Sequence, residues 1–538
     1  MEKIQAYRRW LYLLALLLLL PALLINLGLL TFIDDEGIRS LVALEMKLSG
    51  NWIAPTLHGE FYYNKPPLYN WILLAFFNLT GSINEFTARF PTVIALLGFS
   101  ATVYYFFWKR YSHKVAFLNA FFLITCGRIL LWDSMLALID TCFSWVMFSL
   151  FMVIYHEMEK ERYLRLFVFT YLLAAIGFLL KGLPAIVFLG ITLLVYFTYK
   201  RKYKPFFSWQ HVVGGLCFLL VIGGYYLTYH QYNSLDRVFA TLFAESSKRT
   251  VVNYGVGRTI LHFISFPFEM IYHFLPWTLM IIFFLRKGSW QQIRQDSFMV
   301  FNLLAFGSNI LIYWISPEVY PRYLLMLLPL LFSTFIYSWD NRPNDNFWGY
   351  RLFFGLLGVF CILFTLGSLS PLFWERIQWG PLVYLKSLLL FTGMLTLTVL
   401  YFYWRPLRLE LFILIMLVFR IGFNWFVLPD RNQNDYGDLC RQSSQEIGKS
   451  YSDQHLYVYW ELGAKPISSF YLQPTNSFYL TQGRGAIIPL RLSEDCRKED
   501  LLIIDSIHFP NVAYKKWGEI KARHEEKTYH LGQIEDKE

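Results

Sequence analysis

Charge is what this chain has least of. Of its 538 residues only 16% are Asp, Glu, Lys or Arg, against roughly 25% in an ordinary soluble domain, which argues against a fold solvated on all sides. Cysteine is scarce as well: there are six and none forms a CxxC pair, so no disulfide framework is implied. Cys126, Cys142, Cys217 and Cys361 lie in or beside apolar runs and read as small core residues, while Cys440 and Cys496 share a polar tail and leave one disulfide open. Internal repeats and low-complexity segments are absent, and no basic stretch interleaved with aromatics accompanies the net charge of +10, so that charge is not a nucleic-acid footprint.

Apolar residues fill the space left by charge. The chain is 56% hydrophobic and 20% aromatic, and its apolar residues come in runs of about 18 to 22, the length that crosses a bilayer as a helix. Runs at 10–30, 89–108, 115–131, 135–155, 164–180, 184–199, 210–229, 266–285, 297–314, 322–338, 350–368, 382–403 and 408–428 predict about thirteen spans of a polytopic all-α membrane protein. The first run follows a basic start but continues for about 20 residues without a small-x-small cleavage site, so it reads as a retained anchor.

Alternate connectors are basic, among them those with Arg8, Lys114, Lys200, Arg286 and Arg408, and the positive-inside bias assigns them to the cytoplasm. An odd number of spans then puts the tail on the opposite side, together with the acidic loop at 31–88. That tail, residues 429–538 after a membrane part at 1–428, carries 17 acids against 14 bases. A helical stretch at Asp435–Lys449, strand-like runs at His455–Trp460 and Leu501–Asp505, and apolar runs at Ser469–Leu472 and Ala486–Leu490 predict a small α/β domain with no nucleotide loop. Loop 31–88 carries amphipathic stretches at Ile38–Leu48 and Pro67–Leu79, too short to span, and a second long segment at 230–265 falls on the same face, so the two can enclose one cavity.

Polar groups on that face stand at turn signals: Asp34, Asp35, Glu36, Arg39, Lys65, Arg128, Asp133, Lys181, Arg249 and Arg322. Any one of the cations alone reads as an anchor at a helix end. Together, several cations with separated acids suit an anionic, phosphate-bearing substrate and carboxylate chemistry. A lipid-phosphate sugar donor fits: its phosphate leaves unprotonated, so the protein supplies positive charge, and an acid serves as base toward an incoming hydroxyl. The alternative is a lipid or glycan transporter using the same charges as a pathway, which calls for charges spread through the membrane depth and for symmetry between halves. His58, His230 and His262 are scattered and read as surface or structural residues.

Asp35-Glu36, the stretch Met46 to Pro55, Tyr62-Tyr63-Asn64-Lys65-Pro66-Pro67 with Leu68 to Trp71, and Ala88-Arg89-Phe90-Pro91 resemble the N-terminal signature of bacterial GT-C membrane glycosyltransferases, the enzymes similar to protein O-mannosyltransferases and to the aminoarabinose transferase that modifies lipid A. Looser echoes run to about residue 340. The resemblance implies transfer of a hexose or pentose from a polyprenyl-phosphate donor, with inversion, to lipid A, a glycan or a protein hydroxyl. It further implies residence in a bacterial inner membrane with a periplasmic tail. By that resemblance Asp35, Asp133 and Glu36 are the catalytic candidates, and Lys65, Arg39, Tyr62, Tyr63, Arg249, Arg322, Tyr323 and Lys181 the substrate-binding ones. Two departures bear on a cofactor. Where relatives carry Glu before the lysine and His in the later loop, this chain has Asn64 and Ser246, poor ligands for a divalent metal, so no metal residue is assigned.

Overall fold

Within hydrocarbon every backbone N–H and C=O needs a partner in its own segment, so long apolar runs become helices. The computed structural model describes residues 2–247, 255–341, 347–374, 382–461, 472–523 and 528–534. All thirteen expected runs fall on helices. Among the described residues ten helices are long and apolar enough to cross a membrane, or twelve if each of two bent pairs is one span. The thirteenth run is the helix Pro184–Tyr199, which at 16 residues is shorter than a full span. The bent pairs are His113–Thr125 with Gly127–Met135, broken by 49°, and Gly257–His273 with Trp277–Leu285, broken by 117°. Their breaks touch, because the Gly127 amide donates to the Leu275 carbonyl at 2.8 Å.

The basic connectors meet one another. Arg8 pairs with Glu410 at 2.6 Å, Tyr7 stacks on Trp404, Lys114 pairs with Asp340 at 2.5 Å and Lys200 with Glu159 at 2.6 Å. The tail packs elsewhere, on the first outer segment. His58 Nε2 lies 3.0 Å from the Ser477 hydroxyl, and Glu85 is bound by Arg441 at 2.7 Å and by the Tyr479 hydroxyl. Outer loop and tail therefore share one end of the bundle. His58 is fully buried in that contact, a structural role as expected for a histidine outside the charged cluster.

Both short helices of the outer loop form, at Glu36–Ser49 and Leu68–Thr80, and between them runs a hairpin of β1 (Thr56–Leu57) and β2 (Glu60–Phe61). In the tail the helix Gly437–Ser450 precedes a five-stranded sheet of β3 (Leu456–Trp460), β4 (Leu490–Leu492), β5 (Leu501–Ile504), β6 (Tyr514–Lys521) and β7 (Thr528–Ile534), in the order β4-β3-β5-β7-β6. Strand β3 is parallel to β4 and β5, and β7 is antiparallel to β5 and β6. The small α/β domain is as expected, but β6, β7 and the helix Pro474–Arg484 went unread. Polar and charged residues dominate β6, which lies at the sheet edge and buries only one position well. The run expected at Ser469–Leu472 lies largely outside the described residues, and the six cysteines are unpaired.

Candidate active site

Chain breaks put the charged residues where they are. Gly182, at φ +84, ends the helix Tyr163–Lys181 in a conformation that favours glycine, and Pro184 opens the next helix two residues later, so Lys181 sits at a sharp turn. The helix Ser297–Ile315 stops before Ser316-Pro317, and Pro321 starts a 3-10 turn that places Arg322 at the head of a span. Asp34 adopts a left-handed φ of +57, turning the chain into the helix Glu36–Ser49.

Arg322 is the hub. Its side chain is 4% exposed and binds Asp34 through Nη1, while Nη2 stands 3.8 Å from Asp35 Oδ2 and Nε stands 3.4 Å from Asp140 Oδ2. The guanidinium also lies over the Tyr320 ring at 4.5 Å. Asp140 continues the chain of charges, accepting from Lys181 Nζ at 2.5 Å, and that ammonium in turn sits 3.8 Å from the centre of the Tyr323 ring. Beside this network opens a cavity of about 300 Å³, lined by Asn64, Lys65, Lys181, Glu245, Glu318 and Tyr323 with an apolar wall that includes Leu183 and Val187. A lining that combines the ammonium groups of Lys65 and Lys181 with aliphatic side chains suits a phosphate attached to a hydrocarbon chain.

Asp140 is the residue the sequence reading missed. Asp133 was expected as the second acid; it sits in the 3-10 turn Asp133–Met135 at the end of a bent span and pairs with Arg128, five residues earlier, at 3.2 Å. Asp140 stands in the first turn of the helix Ile139–Glu159, where the helix dipole favours a carboxylate, and it is the acid that faces Lys181 and Arg322. An Asp at the first turn of an apolar run was the available signal.

Glu36, expected among the catalytic acids, is buried and held by hydrogen bonds. Its oxygens accept from Arg89 Nε at 2.8 Å and Nη2 at 2.9 Å, from the Ala137 amide at 2.6 Å and from the Ile33 amide at 2.8 Å, and none of the residue is exposed. Those four donors tie the start of its helix to Arg89 and to the backbone at Ala137. Arg39 and Tyr62 are buried and held together, Nη1 donating to the phenol oxygen at 2.6 Å. Tyr63 accepts from Asn233 Nδ2 at 2.8 Å and, with Tyr62, Tyr225 and Tyr229, lines a small recess that shares Lys65 with the main cavity. Arg249 and the side chain of Ser246 lie outside the described residues. Among those described, no group of three His, Cys, Asp or Glu could hold a metal ion, and Asn64 is a weak donor, so no step is assigned to a metal.

Burial, with Arg39 and Lys181 adding to it against the opposing pull of Glu245, brings the Lys65 ammonium down to about 8. Below that pH Lys65 is charged and can hold a phosphate; above it the charge is lost. Binding of a polyprenyl phosphate to the purified protein is expected to weaken about tenfold between pH 7 and pH 9. Lys65→Arg should flatten the profile, and a flat wild-type curve would take Lys65 out of the phosphate site.

Comparison with known proteins adds to this geometry. A family described as dolichyl-phosphate-mannose-protein mannosyltransferase matches residues 64–226. The fold is similar to crystal structures of ArnT from Cupriavidus metallidurans, bound to undecaprenyl phosphate (TM-score 0.70, 15% identity, 97% of this chain and 98% of that one) and in the apo state (TM-score 0.69, 14% identity, 98% of each). Curated relatives include an uncharacterized protein of Aquifex aeolicus, 25% identical over 59% of this chain and 62% of its own length, and the undecaprenyl phosphate-alpha-4-amino-4-deoxy-L-arabinose arabinosyl transferase 1 of Proteus mirabilis, 22% identical over 62% and 61%. The chain thus spans about three fifths of the length of these relatives. The matches bear out the resemblance to the GT-C membrane glycosyltransferases carried by residues 35–91. Within that class the likeness over the whole fold is to ArnT.

Proposed function

We propose that this protein is a GT-C-type transferase that moves a sugar from a polyprenyl-phosphate carrier to an acceptor on the side of the membrane where the tail lies, inverting the anomeric carbon. The observation that carries the reading is the array of Arg322, Asp34, Asp35, Asp140 and Lys181 at the edge of a cavity that also holds Lys65. The carrier phosphate would rest against Lys65 and Lys181 with its prenyl chain along Leu183 and Val187, and the cations would stabilise charge as the carrier departs. Asp35, whose side chain is 45% exposed, is the base: it takes the proton of an acceptor hydroxyl as the oxygen bonds to the anomeric carbon from the face opposite the leaving phosphate. With a phosphate as acceptor the nucleophile is already ionised and Asp35 positions it.

The arrangement at the two ends supports residues 1–428 as the catalytic membrane part, with the basic connectors cytoplasmic and residues 429–538 periplasmic in a bacterial inner membrane. Acids and cations gathered at one end favour the transferase over the transporter. The test is mass spectrometry of lipid A, surface glycans and periplasmic glycoproteins from cells with the wild-type gene, a deletion, and Asp35→Asn. A sugar-sized mass present in wild type should fall by about a hundredfold or more in Asp35→Asn at equal protein level. Identical spectra in all three strains would sink the reading.

A further inference from the structure

The backbone that leads into the acidic turn is held from two sides. On the bundle side Arg89 donates to the carbonyls of Leu27, Leu30 and Thr31 at 2.8 to 3.0 Å. On the other side the carbonyl of Phe32, two residues before Asp34, accepts from two groups of the tail: Arg523 Nη1 at 2.5 Å and the Thr475 hydroxyl at 3.2 Å. Arg523 is 2% exposed and is itself fixed by Asp435 at 2.6 Å, whose other oxygen accepts the Gly437 amide at 2.9 Å. The Phe32 ring is fully buried and packs edge-on against Phe478 at 4.8 Å. Gly37, just past the turn, lies so close to the tail that a Cβ there would stand 2.9 Å from the Pro474 carbonyl carbon and the Thr475 nitrogen.

A buried arginine and a buried hydroxyl spent on one backbone carbonyl do more than join two domains. The residues they precede include Asp34 in its left-handed conformation and Asp35, both within reach of Arg322. A left-handed aspartate costs about 1 kcal/mol relative to the ordinary backbone and persists where its surroundings fix it. Freed from the tail, the Phe32 carbonyl could rotate and carry the two carboxylates out of line with Arg322, and a displacement of about 1 Å at a reacting group lowers rate by about a hundredfold.

We propose that Arg523 and Thr475 of the C-terminal domain are positioning residues for the acidic turn, so that this domain is part of the catalytic apparatus. The inference rests on the transferase reading above and acts through Asp35, not through the carrier site at Lys65 and Lys181.

The full-length protein is used for the test, expressed in the deletion strain at matched membrane levels, with modified acceptor quantified by mass spectrometry and undecaprenyl phosphate binding measured on the purified chain. Arg523→Met is expected to lower modification about tenfold or more, with binding of undecaprenyl phosphate within about twofold of wild type. Thr475→Val should lower it about threefold, and Thr475→Ser should restore it, a rescue that loss of folded protein would not show. In an Asp35→Asn background Arg523→Met should add no further loss, because both act on one group. Arg491→Met provides the control: it breaks the Arg491–Asp500 pair at 3.1 Å inside the same domain without touching the turn, and should leave modification unchanged. Arg523→Met and Thr475→Val variants that behave like Arg491→Met, or that lose carrier binding in step with modification, would overturn the proposal. If wild type itself modifies nothing, the transferase reading has failed instead.

Discussion

Replacing Arg322 with methionine is expected to abolish sugar transfer, a loss of about a thousandfold, while the chain still inserts and folds. One guanidinium faces Asp34, Asp35 and Asp140, which come from the outer loop and from a separate span. Without it the three carboxylates lose the one guanidinium that faces all of them, while Lys181 stays engaged on Asp140, and their mutual repulsion is expected to open the turn that carries Asp35. Lysine at this position should rescue poorly. An ammonium is a single point charge, whereas the guanidinium spreads donors over Nε, Nη1 and Nη2 and lies over the Tyr320 ring. The measurement is modified acceptor per unit of membrane protein for wild type, Arg322→Met and Arg322→Lys, beside Asp140→Asn. Transfer by Arg322→Met at the wild-type rate would show that the cluster is a structural ion-pair network and would move the chemistry elsewhere in the cavity.

The fold was legible because its signals are local. Apolar run length, connector charge and Pro or Gly at the breaks each speak for themselves, and every expected run falls on a helix. The active end was legible in part, for residues announced by a turn: Asp35, Lys181 and Arg322 are where turn signals placed them. In the sequence, acids close together could not be told apart by their contacts. Asp133 and Asp140 are seven residues apart, and their contacts differ: the first pairs with Arg128 at 3.2 Å, while the second stands 3.4 Å from Arg322 and accepts from Lys181. Glu36 poses a related difficulty. Next to Asp35 it looks like part of the same acidic patch, but the start of the helix sends one side chain toward Arg322 and the other into Arg89. The role of Phe32 could not have been read at all, since its partners Thr475 and Arg523 lie more than 440 residues away.

That division between neighbouring acids yields the second large effect. Arg89→Met is expected to cost about 3 to 5 kcal/mol of stability, the range for stripping one partner from a buried ion pair. The side chains of Glu36 and Arg89 are 0% and 3% exposed, so no water can replace the lost guanidinium, and the carbonyls of Leu27, Leu30 and Thr31 lose their donor at the same time. Glu36→Gln should be milder, because the amide oxygen can still accept from the Ala137 amide or the Ile33 amide, though the charge opposite Arg89 is gone. Thermal unfolding in detergent and the yield of monodisperse protein check both. The comparison with Asp35→Asn is what separates scaffold from chemistry. Glu36→Gln should lower the unfolding midpoint and leave much of the transfer per folded molecule, whereas Asp35→Asn should keep the midpoint and lose the transfer. The same pattern in both variants, activity gone with the midpoint unchanged, would return Glu36 to the catalytic set.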